Sequence, residues 1–243
     1  MASRNYVALV NGASRGIGAS VAKQLLARTP FSVIATCRDV EQAHRNIASR
    51  DNHRLTVVQC DLTNEKDIEA LASGIKTKHG NGGIRLVFNS AGYLKPEKSL
   101  KQISVGSLLA HFYVNAFAPL LVAKHVAPLY APAHDTPTPP PTPTWSRNIF
   151  ASISARTGSI GDNRTGGWYS YRASKAALNQ IHRSLSIELS RTKGVICTVL
   201  HPGTCDTDLS RPYVTKTPPN GVLYSPDQAA ENLVNILESL TVE

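Results

Sequence analysis

The feature that most constrains the fold is a short apolar run that leads directly into a glycine-rich turn. Tyr6-Val7-Ala8-Leu9-Val10 has the length and composition of a buried strand. It runs into Asn11-Gly12-Ala13-Ser14-Arg15-Gly16-Ile17-Gly18, and helical periodicity covers about residues 18–28. A strand, a glycine turn and a helix N-terminus together form an anion site, because unpaired backbone N–H groups and the helix dipole face the ligand. The pattern therefore predicts a pyrophosphate-binding turn.

Short apolar runs alternate with helical patterns along the rest of the chain. The predicted strands cover residues 6–10, 32–36, 55–59, 84–89, 149–153 and 195–200, with helices between them. Such alternation is typical of an α/β fold, a doubly wound parallel sheet of six to seven strands with helices on both faces. In these sheets, ligands bind beyond the C-terminal ends of the strands.

A tyrosine and a lysine lie four positions apart in Tyr171-Arg172-Ala173-Ser174-Lys175. On a helix this spacing brings both side chains onto one face, which places an ammonium beside a phenol. A free tyrosine has a pKa of about 10, and a nearby cation lowers it by favouring the phenolate. We therefore expect Lys175 to lower the pKa of Tyr171, so that Tyr171 can act as a general acid or base.

Together these motifs resemble the short-chain dehydrogenase/reductase family, from Tyr6 to about residue 240, and the resemblance implies a Rossmann-like fold. Gly12, Gly16 and Gly18 match the family's glycine turn, with Asn11 where threonine is usual. The sequence of residues 154–160 and 167–171 is most similar to the carbonyl-reductase and C-factor-like branch. In the family, the lysine binds the nicotinamide ribose and an asparagine, matched here by Asn115, holds a water that links the lysine to solvent.

The resemblance also implies which residues contact the cofactor. Asp61 matches the residue beside the adenine ring, Asn89-Ser90-Ala91-Gly92 matches the signature under the cofactor, and the segment after Pro202 matches the one that holds the nicotinamide amide. The implied set is Gly12, Ser14, Arg15, Gly16, Ile17, Gly18, Arg38, Asp61, Leu62, Asn89, Ala91, Gly92, Tyr171, Lys175, Pro202, Gly203, Thr204 and Thr207.

Arg38 follows the second predicted strand and indicates which cofactor is bound. Enzymes that select NAD commonly place a carboxylate there for the ribose 2′-hydroxyl, whereas an arginine accommodates a 2′-phosphate. Arg15, inside the glycine turn, adds a second positive charge near the phosphates. These residues favour NADP(H). A shift of one residue would instead place the carboxylate of Asp39 at the site.

The serine that holds the developing oxyanion in most relatives is missing. It lies three residues before a glycine, and counting back from Gly158 gives Ala155, which cannot donate a hydrogen bond from its side chain. Ser154 and Ser159 are the alternatives. We prefer Ser154 because it ends the predicted strand at the expected level, although strand alternation means that a bend must aim it correctly. The predicted catalytic residues are therefore Tyr171, Lys175, Ser154 and Asn115.

Composition limits the other functions. A chain of 243 residues with 42% hydrophobic residues can form one core, so we expect a single domain over 1–243. No stretch is expected to supply the roughly 18 apolar residues needed to span a membrane, and no signal peptide is recognised, so we expect a cytoplasmic protein. The net charge is +9, but basic residues are dispersed, which argues against a nucleic-acid partner. Cys37, Cys60, Cys197 and Cys205 lack metal or redox spacing, and we expect no metal.

Two segments depart from the family pattern. Residues at about 128–146 include Thr136-Pro137-Thr138-Pro139-Pro140-Pro141-Thr142-Pro143-Thr144, which predicts an extended surface loop inserted opposite the active site. The chain stops at Thr241-Val242-Glu243, where relatives usually add a last strand. Either this branch lacks that strand or the chain is truncated.

The leading hypothesis is an NADP(H)-dependent oxidoreductase that interconverts a carbonyl and an alcohol on a small molecule, with Tyr171 as general acid/base. The alternative is a catalytically silent NADP-binding sensor or assembly protein on the same fold. A dehydratase or epimerase is a third possibility. The resemblance implies a homodimer or homotetramer through helices beginning near Val105 and Trp168. Residues 206–225 are expected to form a short lid with a moderately apolar lining.

Overall fold

The computed structural model describes residues 6–47, 52–80, 83–130, 145, 147–214 and 221–241 of the chain. Its six strands are β1 (Val7–Asn11), β2 (Ser32–Cys37), β3 (Leu55–Gln59), β4 (Ile84–Asn89), β5 (Asn148–Ile153) and β6 (Val195–Leu200). All are parallel and lie in the order β3-β2-β1-β4-β5-β6. The predicted doubly wound α/β sheet is therefore confirmed, and each predicted strand lies within one residue of its observed bounds.

The helices between the strands are α1 (Gly16–Arg28), α2 (Val40–Ile47), α3 (Glu65–His79), α4 (Val105–Phe112), α5 (Ala118–Val126), α6 (Tyr169–Lys193) and α7 (Pro226–Ser239). A π-helical turn, Tyr113–Phe117, joins α4 to α5. Short 3-10 turns lie at Asn52–Arg54, Leu100–Gln102, Ala127–Leu129 and Arg156–Gly158. The seventh strand of the predicted range is not found among the described residues.

Two apolar layers cover the sheet, one on each face. Side chains of β1 alternate between them, since Ala8 and Val10 pack with α1, α2 and α7, whereas Val7 and Leu9 pack with α3, α5 and α6. Because both faces are covered, the central strands β1 and β4 are buried along their whole length, and their C-terminal ends are the accessible edge. The cofactor motifs predicted from the sequence follow these ends.

The predicted loop at 128–146 begins later than expected. Ala127–Leu129 is a 3-10 turn, and Tyr130 is buried, bridges to Ile84 and donates a hydrogen bond from its hydroxyl to Ile149 O at 2.8 Å. Trp145 packs edge-on against Phe31 with ring centroids 5.6 Å apart. Residues 131–144 and 146, which contain the proline run, lie outside the described residues.

The expectation that no stretch is long and apolar enough to cross a membrane is wrong for one helical run. Val105–Leu129, which spans α4, the π turn and α5, meets that criterion by length and composition. Part of its apolar surface is exposed as a stripe whose members lie three or four residues apart. This stripe consists of Val105, Leu109, Tyr113, Phe117 and Leu120.

The turn between β1 and α1 packs too closely for side chains at two of its glycines. Gly12 has a φ of +76°, and a Cβ there would lie 2.5 Å from Ala91 N. A Cβ at Gly18 would lie 2.3 Å from Gly12 O. Both contacts are with backbone atoms, which cannot move aside without shifting the β1–α1 turn or the end of β4. Glycine at these positions is therefore what brings the turn against the sheet.

We expect Gly18→Ala to lower the free energy of unfolding by about 1–3 kcal/mol, the cost of overpacking a filled site. Gly74→Ala, in the interior of α3 where a Cβ meets nothing within 4 Å, is the matched control and should stabilise by roughly 0.5–1 kcal/mol. Urea unfolding of both variants measures the difference. Equal effects of the two substitutions would contradict the packing described for the turn.

Candidate active site

A cleft of about 600 Å³ lies at the C-terminal ends of the strands. This volume is within the usual range for small-molecule and cofactor sites. It is lined from one end by the glycine turn and from the other by residues that follow β4 and β6. The predicted cofactor residues on its wall are Gly12, Ser14, Arg15, Gly16, Ile17, Arg38, Asp61, Leu62, Ala91, Gly92 and Thr207.

The charged groups at the β2 and β3 ends of the cleft differ in whether they are free to bind a ligand. Asp39 Oδ1 accepts a hydrogen bond from Gln42 N at 2.9 Å and so closes the first turn of α2. Arg38 is exposed on the cleft wall. Hydrogen bonds from the Thr63 backbone and hydroxyl lower the pKa of Asp61, and Arg38 lowers it further, so Asp61 is ionised at neutral pH. The arginine is thus available to an anion in the cleft, whereas Asp39, which bonds to its own helix, is not among the residues of the cleft wall.

Tyr171 and Lys175 both lie on the buried face of α6, as the four-residue spacing predicts. They are 8% and 2% exposed, and Lys175 Nζ lies 5.8 Å from the centroid of the Tyr171 ring. Nζ donates a hydrogen bond to Ile153 O at 2.8 Å, at the C-terminal end of β5. Since Ile153 lines the cleft, the ammonium is held just behind the cleft wall.

We predicted that Lys175 lowers the pKa of Tyr171, and this prediction is wrong. Burial raises the pKa of Tyr171 to about 12, because a phenolate loses its hydration there. Burial also lowers the pKa of Lys175 to about 8. At neutral pH, Tyr171 is therefore a protonated phenol. Lys175 is a cation, but its pKa lies only a little above neutral pH. The arrangement holds a proton that can be donated.

Asn115 lies in the π-helical turn and is 1% exposed. Its Oδ1 accepts from Tyr93 N at 2.8 Å, and its Nδ2 donates to Tyr93 O at 2.9 Å and to Ser174 Oγ at 3.0 Å. Both amide hydrogens are therefore committed to protein groups, and Asn115 ties α6 to the residue after Gly92. Its predicted role in holding a water stays a prediction. Single π turns of this kind are frequent at functional sites.

The hydroxyls of Ser154 and Ser159 form hydrogen bonds to groups other than Tyr171. Ser154 Oγ donates to Asn179 Oδ1 at 2.7 Å, and Asn179 lies eight residues beyond Tyr171, about 12 Å along the helix axis. Ser159 is exposed, and its Oγ accepts from Asp162 N at 3.3 Å. The bend needed to aim Ser154 at the phenol is absent from the described end of β5, because Ser154 N instead continues the pairing with Leu200 O at 2.8 Å.

A chain of buried hydrogen bonds crosses the sheet beneath the cleft. Thr36 Oγ1 donates to Asn11 Oδ1 at 2.7 Å, and Asn11 Nδ2 donates to Asn89 Oδ1 at 2.8 Å. Asn89 Nδ2 donates to Ser152 Oγ at 3.0 Å, which lies 2.8 Å from His182 Nε2 on α6. Burial, with a smaller contribution from Lys175, lowers the pKa of His182 to about 4, so His182 is neutral and can accept. Asn11 and Asn89 thus link the C-terminal ends of β2, β1, β4 and β5 through their side chains.

The segment after β6 forms one side of the cleft. Thr204 O accepts from Tyr224 N at 2.9 Å, and Gly203 packs so closely on the Tyr224 ring that a Cβ would lie 2.8 Å from it. Thr207 lines the cleft, whereas Pro202, Gly203 and Thr204 are not on its wall. Arg15 forms an ion pair with Asp208 at 3.3 Å, which joins the glycine turn to this segment. Residues 215–220 of the predicted lid lie outside the described residues.

Leu209, Pro212 and Tyr213 belong to the predicted lid at 206–225, and they line the substrate end of the cleft with the apolar character expected of that segment. Tyr93 and Leu94 also line this end and were not predicted. Both directly follow the Asn89–Gly92 signature, which is a signal that could have indicated them.

Aromatic rings also surround Tyr171. The centroid of Trp168 lies 6.1 Å from Tyr171 and 6.0 Å from Tyr213, and the centroid of His111 lies 6.2 Å from Tyr171. These rings exclude water from the phenol, which is consistent with its raised pKa.

Comparison with known proteins agrees with this geometry. Residues 6–218 match the family described as short chain dehydrogenase. The 1-hydroxy-2-glutathionyl-2-methyl-3-butene dehydrogenase of Rhodococcus sp. (strain AD45) is 30% identical over 239 residues, which cover 97% of this chain and 92% of that protein.

Two solved carbonyl reductases have similar structures. The NADPH-bound carbonyl reductase from chicken fatty liver superposes with a TM-score of 0.82 at 29% identity, over 98% of this chain and 88% of that one. Carbonyl reductase Sniffer of D. melanogaster gives a TM-score of 0.83 at 27% identity, over 97% and 92% of the two chains.

Proposed function

The chain belongs to the short-chain dehydrogenase family of oxidoreductases, and from that premise we propose that it is an NADP(H)-dependent enzyme that reduces a carbonyl group to an alcohol. The observation that carries the proposal is the pairing of Tyr171, a buried and protonated phenol, with Lys175 one helical turn away. The two lie behind a cleft whose wall carries the glycine turn and Arg38. Carbonyl reductases of similar structure support the direction of the reaction.

The proposed chemistry needs a proton donor at the carbonyl oxygen. A bound nicotinamide cofactor supplies the hydride that reaches the carbonyl carbon. Tyr171 Oη donates its proton to the oxygen as negative charge develops there, which is the role of a general acid. A pKa raised to about 12 keeps the phenol protonated before the reaction, which is the state that a proton donor for reduction requires. Lys175 places a positive charge near the resulting phenolate and stabilises it.

The residues of the cleft suit NADP(H) better than NAD(H). Arg38 is exposed on the wall, whereas Asp39, the carboxylate that would bind a ribose 2′-hydroxyl, is not among the wall residues and accepts a hydrogen bond from Gln42 N. A guanidinium at this position can form charge-assisted hydrogen bonds to a 2′-phosphate. Gly12 N and Ala13 N both donate to Thr36 O, so the N–H groups that remain for a pyrophosphate are those of the first turn of α1, which has no side-chain cap.

We also propose that the enzyme is a homo-oligomer. The stripe of Val105, Leu109, Tyr113, Phe117 and Leu120 is exposed along one continuous helical run. Contiguous apolar surface of this kind marks interaction sites. A second copy of the chain is the proposed partner, because a two-fold axis beside the run would pair the stripe with itself.

One observation favours the alternative of an NADP-binding protein without catalytic activity. Ala155 stands where most relatives carry the oxyanion-holding serine, and the hydroxyl of Ser154 is directed to Asn179. If no other group takes that role, Tyr171 alone stabilises the oxygen. Binding of NADPH without consumption of any carbonyl would favour this alternative.

We expect the purified protein to consume NADPH with aldehydes, ketones or diketones. For the free enzyme, kcat/KM should be level below pH 8 and fall above it, since Lys175, with a pKa of about 8, loses its charge there while Tyr171 keeps its proton. Initial rates between pH 6 and 10 measure this profile. A rate of reduction that rises through pH 8 would contradict the assigned protonation states.

Cofactor selection is tested with Arg38→Asp. We expect the ratio of kcat/KM for NADPH to that for NADH to fall about 10- to 100-fold, because hydrogen bonds between charged groups contribute roughly 1.5–3 kcal/mol. Arg45→Asp makes the same charge change on α2 outside the cleft wall, where Arg45 pairs with Glu41 at 3.7 Å. It should leave the ratio nearly unchanged. An equal drop in both variants would indicate a general charge effect instead of a 2′-phosphate site.

A further inference from the structure

Glu97 is a carboxylate buried beside the start of α6, and nothing in the sequence pattern marks it. It is 3% exposed, although glutamate is almost never fully buried without partners. None of the ion pairs among the described residues involves it. A buried charge of this kind is stable only when hydrogen bonds replace its hydration.

Those hydrogen bonds come from two helices. Oε2 accepts from Ser170 N at 3.2 Å, and Oε1 accepts from Ser170 Oγ and, at 3.0 Å, from Ser107 Oγ. Burial raises the pKa of Glu97, but the hydrogen bonds from Ser170 and Ser107 lower it more, so the net shift is downward and the group is ionised at neutral pH. The carboxylate also faces the N-terminus of α6, where the helix dipole favours negative charge.

Glu97 supplies the cap that α6 lacks in its own sequence. The residue at the N-cap position is Trp168, which makes no side-chain capping bond and has a left-handed backbone with φ of 54°. This conformation is unfavourable for a residue with a bulky side chain. Trp168 N donates to Glu97 O at 2.7 Å. Both the backbone and the side chain of Glu97 therefore hold the turn that begins α6.

The hydrogen bonds of Glu97 also affect the position of Tyr171, the proposed proton donor. Trp168 and Tyr171 lie in the turn that Glu97 fixes, and the Trp168 ring packs against both Tyr171 and Tyr213 of the cleft wall. We propose that Glu97 is a positioning residue that sets Trp168 and Tyr171 against the cleft. For Tyr171 this inference rests on the proposed function, but the placement of Trp168 can be measured without any reaction.

The test uses Trp168 as a probe. The chain has two tryptophans, so Trp145→Phe leaves Trp168 as the only one. Glu97→Ala and Glu97→Gln are made in this background, together with Glu65→Gln as a control. Glu65 is a surface glutamate on α3 that pairs with Lys124 of α5 at 2.7 Å. Circular dichroism establishes that each variant is folded, and acrylamide quenching reports on Trp168.

We expect Glu97→Ala to shift Trp168 emission to the red and to increase its quenching. It should also lower kcat for carbonyl reduction by about 10-fold or more, the effect of a misplaced catalytic group, while the Kd for NADPH changes less than about twofold. Glu97→Gln should restore part of kcat, because its amide oxygen can still accept from Ser170 N. Glu65→Gln should match the background protein in all four measurements, namely emission, quenching, kcat and the Kd for NADPH.

Each outcome decides the inference. A folded Glu97→Ala protein with unchanged Trp168 quenching and unchanged kcat overturns it. If Glu97→Ala does not fold, the same comparison between Glu97→Gln and Glu65→Gln decides. If the background protein binds NADPH but reduces no carbonyl, the proposed function fails, and the quenching of Trp168 still supports or overturns the positioning role.

Discussion

The site depends on keeping buried polar groups hydrogen-bonded where the strands end. Thr36, Asn11, Asn89 and Ser152 are level with one another on β2, β1, β4 and β5, and their side chains bond in sequence from one strand to the next. His182 continues the chain onto α6. Since an unpaired buried polar group costs about 1–3 kcal/mol, a slip of one strand would be opposed by several such losses. The chain therefore fixes the level at which the cleft residues leave the sheet.

A second set of hydrogen bonds places α6 against these strand ends. Three side chains on α4 and the π-helical turn, spaced four residues apart, bond to the segment that precedes α4. Ser107 bonds to Glu97, His111 to Lys95 N and Asn115 to Tyr93. Glu97 then bonds to Ser170, which directly precedes Tyr171, and Asn115 bonds to Ser174, three residues after it. The phenol is thus held between two anchored serines in a dry aromatic setting. That setting explains why its pKa rises instead of falling.

The sequence predicted the sheet well because its signals are local. Strand length, the glycine turn and the four-residue spacing of Tyr171 and Lys175 need no knowledge of the rest of the chain. The predicted shift of the Tyr171 pKa was wrong because desolvation depends on packing that only the fold creates, such as that of His111, which comes from a distant segment. Ser154 was chosen by its level on the strand, but its direction is set by Asn179. Glu97 could not be found at all, because its partners lie on two helices that only the fold brings together.

The central claim is that Tyr171 delivers the proton during carbonyl reduction. Single-turnover reduction by Tyr171→Phe, with NADPH binding measured separately by titration, tests it most directly. The account predicts a rate lowered by about 10²- to 10⁴-fold, the usual contribution of a general acid, with the Kd for NADPH changed little. A Tyr171→Phe protein that binds NADPH and transfers hydride at the wild-type rate would contradict it.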